Sequence, residues 1–395
     1  MTAPFLTSLR LGGFLSFAPG TPAIDLRPLN VIIGPNGSGK SNLIEGVELL
    51  KAAPSGFGAA LRVGGGPEAW LWKGGLSPLA EIEIDLSRAQ PPMSLRYRLV
   101  FAAAGANATI EAEELESLGA QGRPSVTFLR FAGAQVEIAA KSSGDPKDPY
   151  ATQTFDRHYL NGVDPILAQR RDPLIFPDLA WLADRLSSIE TFREWSFGRL
   201  AKNRQPQSAD LPSDKLAPRA LNLALVVQNL IHHGALPQLE SQLRRFLSRF
   251  ERLSVSVGGG GVALYLHEEG VAAPIPATRM SDGTLRFIAL LATLMAPVPP
   301  PLVCIEEPEL GLHPDAVAVV ADLLVEASQR TQLIVTTHSD ALVSALTEYA
   351  ESVLVCEHLG GGSSVRRVES EKLKFWLEKY RLGEIWRIGK LGGNP

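Results

Sequence analysis

Alternating apolar and polar positions dominate the first third of this chain, and helical spacing dominates most of the rest. Residues 5–17, 23–26 and 29–33 read as short strands, the last being Leu29-Asn30-Val31-Ile32-Ile33. Leu43, Ile44, Val47 and Leu50 then recur at helical spacing, predicting a helix that begins near Gly39. Residues 54–80, with Gly64-Gly65-Gly66-Pro67 and Lys73-Gly74-Gly75, read as an irregular, mobile stretch. Strand patterns follow at 81–86, 95–102, 108–115, 125–131 and 134–140. The cleanest is Glu81-Ile82-Glu83-Ile84-Asp85-Leu86, a half-buried strand. They predict an antiparallel sheet beside the first unit, closed by a polar loop at 141–150.

From Pro177 the period becomes helical: Leu179, Leu182, Leu186 and Ile189, then Leu221, Leu225, Val226 and Leu230, then Leu239, Leu243, Phe246, Leu247 and Phe250. Residues 201–218 between them are polar and expected to be exposed. A hairpin is expected across 253–267 around Gly258–Gly261, with a third strand after Glu268-Glu269-Gly270. After Pro276, helices at 283–296, 314–329 and 339–349 alternate with strands at 302–306, 332–337 and 352–357. Such alternation predicts a parallel sheet covered by helices. The expected class is therefore α/β, a mixed sheet covered by helices with an antiparallel β region and a helical insertion. The expected divisions are 1–176, 177–252 and 253–395.

The turn after the 29–33 strand carries the first chemistry. Gly34-Pro35-Asn36-Gly37-Ser38-Gly39-Lys40-Ser41 fits G-x-x-x-x-G-K-[ST], between an apolar strand and a helix as that motif requires. Its glycines let successive N–H groups point inward at phosphates, and the helix N-terminus adds its positive end. Lys40 would reach the β- and γ-phosphates, and the Ser41 hydroxyl, followed by Asn42, would bind Mg²⁺.

Three later segments could complete a phosphoryl-transfer site. The strand Leu302-Val303-Cys304-Ile305 ends in Glu306-Glu307, adjacent acids whose side chains point to opposite faces. One can serve the metal shell and the other the attacking water. Ser281-Asp282-Gly283-Thr284 opens an apolar helix, where the Ser281 hydroxyl and the Gly283 N–H could bind phosphate; alone, this pattern is usually just a cap. Ile334-Val335-Thr336-Thr337-His338-Ser339 is another strand with a polar end. It lies one strand–helix–strand step after Glu306, so His338 is expected beside it, contacting the γ-phosphate.

In this order, the phosphate loop, Ser-Asp-Gly-Thr, Ile-Glu-Glu-Pro-Glu and Thr-Thr-His-Ser resemble the ABC-type ATPases of the RecF/SMC-like group. The similarity is closest to its compact members without a long coiled coil. Leu312-His313-Pro314, Asn222-Leu223-Ala224, Leu382-Gly383-Glu384-Ile385-Trp386 and Gly392-Gly393 extend the likeness over nearly the whole chain. The resemblance implies a P-loop NTPase head that sandwiches two ATP molecules in a head-to-tail dimer. Ser281 and Gly283 would contact the γ-phosphate held by the other subunit. It makes Glu307 the catalytic carboxylate, Glu306 the metal-associated acid and His338 the switch histidine. Asp282 departs from the Gly of transporters, and Glu306 from the usual Asp, one methylene shorter. The Q-loop glutamine stays open among Gln121, Gln153 and Gln169.

Bulk composition narrows the setting. The 395 residues carry a formal net charge of −4, which gives no global nucleic-acid footprint. Cys304 and Cys356 stand alone in apolar runs, as expected of buried reduced thiols in a cytoplasmic protein. The longest apolar run, 287–298, is too short to span a bilayer, and no signal-peptide pattern opens the chain. Two functions are weighed. In one, ATP-driven dimerisation acts on DNA, in repair or in defence. Its basis is a basic excess over 185–252, with Arg244, Arg245, Arg249 and Arg252 in a helical stretch at spacings that put several on one side. In the other, ATP closes a regulatory switch on a separate effector protein, because the chain shows no nuclease or protease constellation of its own. A transporter subunit fits poorly with the long segment between Lys40 and Ser281.

Overall fold

The computed structural model describes residues 4–75, 77–119, 124–145 and 148–393. Its centre is a six-stranded sheet ordered Glu190–Phe192, Leu302–Glu306, Gln332–Thr336, Leu29–Ile33, Val353–Leu359 and Gly362–Arg367. All neighbouring pairs are parallel except the last, which is antiparallel. The strands are apolar runs because both sheet faces are covered. Val31 and Ile33 join one core with Val303, Ile305, Leu333 and Val335; Ile32 joins the other with Leu302, Cys304 and Ile334. Burying each such side chain contributes about 1.5–3 kcal/mol.

One face carries the helices Leu223–His232, Leu236–Phe246, Asp282–Leu294 and Pro314–Ala327. The other carries the phosphate-loop helix Lys40–Ala52, the helix Pro177–Ser187 and an eight-stranded antiparallel sheet. That sheet is larger than the sequence pattern predicts: it includes Leu6–Gly12 and Ile24–Asp25 and continues through Asp148–Asp156. Arg10, Arg96 and Arg98 pair with Glu81, Glu83, Asp85 and Glu114 across its polar face.

Three expectations are corrected. The stretch 54–80 holds the helices Phe57–Val63 and Pro67–Trp70, whose Phe57, Leu61 and Trp70 are buried. Its glycines mark helix ends: Gly56 and Gly66, both at positive φ, precede the two helices. The expected loop at 141–150 is largely strand, with Lys141 opposite Tyr150, because backbone pairing outweighs its polar composition; residues 146–147 lie outside the described residues. The expected helical insertion 177–252 is divided. Pro177–Ser187 packs into the N-terminal core, Glu190–Phe192 is the edge strand of the central sheet, and only the later helices cover the opposite face. Among the described residues, no helix is long and apolar enough to cross a membrane.

Candidate functional site

The phosphate loop leaves the C-terminal end of Leu29–Ile33, where the flanking strands also deliver their polar ends. Gly34, Gly37 and Gly39 sit at φ 151°, 75° and 111°, conformations that side chains disfavour. A Cβ on Gly34 would overlap the Cys356 carbonyl, and one on Gly39 would overlap Ser363 and Ser16. The loop is further tied by Ser363 Oγ, which donates to the Ser38 carbonyl at 2.5 Å, and by Asn42 Nδ2, which donates to Ser16 Oγ at 2.8 Å. The helix it opens has no side-chain cap at Gly39, leaving first-turn N–H groups without one.

Lys40 is buried, and its Nζ donates to the carbonyls of Gly34 at 2.7 Å and Pro35 at 2.9 Å. Burial pushes its pKa down, against the pull of Cys356, Glu307 and Glu306. Ser41 is exposed at the loop's mouth.

Glu306 ends its strand opposite Thr336. Its Oε2 accepts from Arg193 Nε at 3.2 Å, while Oε1 is buried without a hydrogen-bond partner. Arg193 also donates to Glu48 at 2.9 Å and Glu45 at 3.0 Å on the phosphate-loop helix; these carboxylates outweigh its burial and raise its pKa. Glu307 follows at φ 46°, in the left-handed region, with its N–H on the Thr336 carbonyl at 2.9 Å. His338 Nε2 lies 3.8 Å from Glu307 Oε1. Burial and Lys40 lower the pKa of His338, favouring the neutral imidazole. Glu306, Glu307, His338 and Lys40 therefore converge as the spacing predicts.

No hydrogen bond or ion pair among the described residues joins Ser281, Asp282 or Gly283 to Lys40, Glu307 or His338. Ser281 Oγ caps its helix by accepting from Thr284 N at 3.0 Å. Asp282 pairs with Arg204, a buried arginine that also holds the carbonyls of Phe197, Ala277 and Met280. Ser281, Asp282 and Gly283 open into a groove of about 740 Å³ shared with 244–248 and 311–316 and with no residue of the phosphate loop.

Neither of the two described glutamine candidates joins the site. Gln121 lies outside the described residues, Gln153 is on the antiparallel sheet, and Gln169 bonds to Asn161, Asp164 and Pro165. Arg193, beside Glu306, had no motif to announce it. Glu309 and Thr337 lie inside the quoted Ile-Glu-Glu-Pro-Glu and Thr-Thr-His-Ser stretches but carry no expected role; they join the acidic turn to the histidine loop. The expected arginine face also dissolves. Arg244 and Arg245 are on the helix Leu236–Phe246, Arg249 follows it, and Arg252 is on the strand Phe250–Gly258. They engage Glu240, Asp322, Glu268 and His267 respectively.

This geometry defines a P-loop ATPase fold. Residues 29–344 match the family described as "AAA domain, putative AbiEii toxin, Type IV TA system", and the chain belongs to that family. Among solved structures, a Smc head domain with an extended coiled coil from Pyrococcus furiosus, bound to the C-terminal domain of ScpA, is similar at TM-score 0.55. It is 15% identical, over 95% of this chain and 99% of that one. An SmcHead bound to the C-winged helix domain of ScpA is similar at TM-score 0.54, with 16% identity over 93% and 99% of the two chains. A Smc head domain with a coiled coil and joint from Pyrococcus yayanosii gives 0.50, with 14% identity over 95% and 99%. At these identities the likeness is one of fold. No curated protein sequence matches.

Proposed function

We propose that this protein binds and hydrolyses ATP as a head-to-tail homodimer, and that dimer closure is a switch governing a separate effector protein. One observation carries the dimer: Lys40, Glu307 and His338 converge, while Ser281 and Gly283 open into a different groove. A second copy can supply them to the first copy's nucleotide.

The residues fit a Mg²⁺–triphosphate. Positive-φ glycines and an uncapped helix start form an anion cradle, and the free Oε1 of Glu306 is an oxygen donor aimed at nothing else. Lys40 and the loop N–H groups hold the β- and γ-phosphates. Ser41 and Glu306 would hold Mg²⁺, which would neutralise phosphate charge. Glu307 accepts the water's proton as the water oxygen bonds to the γ-phosphorus and the bond to the bridging oxygen breaks, giving ADP and phosphate. Neutral His338 contacts the γ-phosphate, and the second copy's Ser281 hydroxyl completes the shell.

The effector reading is favoured over direct action on DNA because the four arginines form no single helix face: Arg244 and Arg245 lie on Leu236–Phe246, Arg249 follows it and Arg252 lies on the strand Phe250–Gly258. Glu307→Gln tests the mechanism. With Mg²⁺ and ATP it should retain binding, lose at least ~100-fold in hydrolysis and elute as a dimer, since water activation alone is removed. Hydrolysis at the parent rate would refute the assignment of Glu307; a variant that stays monomeric with ATP bound would refute the dimer.

A further inference from the structure

Glu309 sits two residues past Glu307 on the turn that follows the acidic strand. Its side chain is half-buried and, among the described residues, its carboxylate alone hydrogen-bonds to the histidine loop. Oε1 accepts from the Thr337 hydroxyl and, at 3.4 Å, from the backbone N–H of His338. The same hydroxyl accepts from the Ser339 N–H at 2.9 Å. One carboxylate thus gathers the backbone on both sides of His338, directly and through Thr337. Ser339 then caps the next helix by accepting from Leu342 N at 3.1 Å, so the loop is held at both ends. The neighbouring tie is independent: Glu307 N–H bonds to the Thr336 carbonyl. Together these bonds set the imidazole 3.8 Å from Glu307.

The arrangement is asymmetric. Glu309 Oε2 is buried and has no hydrogen-bond partner, and burial raises the carboxyl's pKa. Burying an acid to anchor a neutral loop costs free energy, and an apolar residue would fill the same space without that cost. What the acid adds is direction, through a fixed acceptor for Thr337 and His338.

Resting on the reading of Glu307 and His338 above, we propose that Glu309 is a positioning residue for hydrolysis. It holds the His338 loop through Thr337 so that the imidazole faces Glu307 and the γ-phosphate. It touches neither ATP nor the attacking water.

The test compares ATP hydrolysis by the parent, Glu309→Ala, Glu309→Gln, Thr337→Val, His338→Ala and the double variant Glu309→Ala/His338→Ala, with Glu307→Gln as the control. Glu309→Ala should lower kcat by at least ~10-fold and change KM for ATP by less than ~3-fold, the split expected when only orientation is lost. Glu309→Gln keeps an acceptor and should stay within ~3-fold of the parent, and Thr337→Val should fall between. The double variant should be no slower than His338→Ala, because two residues acting through one group are not additive. Additive losses, or a parent-like kcat in Glu309→Ala, would overturn the proposal. A second readout does not depend on turnover. In histidine-labelled protein, the His338 ring resonances should move in Glu309→Ala and Thr337→Val and stay near the parent in Glu309→Gln. Unmoved resonances in both of the first two variants overturn the proposal even if the protein hydrolyses nothing. Failure of the function itself has a different signature, namely Glu307→Gln hydrolysing like the parent.

Discussion

On the proposed function, Lys40 concentrates the nucleotide chemistry in one side chain. Its ammonium is buried and held by two carbonyls of its own loop, so its position is set before any phosphate arrives. Replacing it with Ala should weaken ATP binding by at least ~100-fold, the order of two charge-assisted hydrogen bonds at about 1.5–3 kcal/mol each. Titration calorimetry with Mg²⁺–ATP measures this, and an affinity near the parent's would remove Lys40 from the site. Lys40 was legible in the sequence because its motif is contiguous, and its convergence with Glu307 and His338 because strand spacing forces it. Arg193 was not legible, and Glu309 was legible only as part of Ile-Glu-Glu-Pro-Glu, without its contact. Arg193 meets Glu45 from 148 residues away, and Glu309 meets Thr337 from 28. No local pattern encodes a contact that only the assembled sheet creates.

At the scale of elements, the central strands were read almost to the residue. Leu302–Glu306 matches its expected bounds because a strand buried on both faces writes itself as an apolar run between turn residues. Glu190–Phe192, three residues long beside a helical pattern, carries too little periodicity to be seen. Glu113 shows how elements are joined. This fully buried carboxylate on the strand Asn107–Leu118 accepts from the N–H groups of Ile166 and Leu167, at the start of the helix Ile166–Gln169, and from Tyr97 Oη. Desolvation dominates and raises its pKa to about 7. A folded-state pKa above the unfolded one means that the folded protein holds the extra proton between roughly pH 4.5 and 7. Glu113's contribution is therefore full below that window and is lost as pH rises through it. Unfolding midpoints of the parent and Glu113→Gln at pH 5 and pH 8 measure it. The parent should lose stability relative to the variant at pH 8; a constant difference would contradict the raised pKa.

For the whole molecule, the paired arginines decide what kind of partner is expected. Arg249 and Arg252 lie on the side expected to bind duplex DNA, yet both are engaged by neighbours. Neutralising both to Ala should leave any duplex affinity within about twofold and its salt slope unchanged, whereas a phosphate-binding face would lose slope with each cation removed. A shallower slope in a fluorescence titration would restore the DNA reading. The sheet order has a consequence of another kind. Leu29–Ile33 lies between Gln332–Thr336 and Val353–Leu359, and Asn30 Nδ2 donates to a carbonyl 303 residues away. During synthesis the phosphate loop emerges long before either strand that flanks its own, the nearer of them some 303 residues later. Pairings at such separation form slowly and leave apolar edges waiting. The nascent protein thus carries the motif through some 303 residues of synthesis before the site can assemble, and on the proposed function any grip on ATP waits for that assembly.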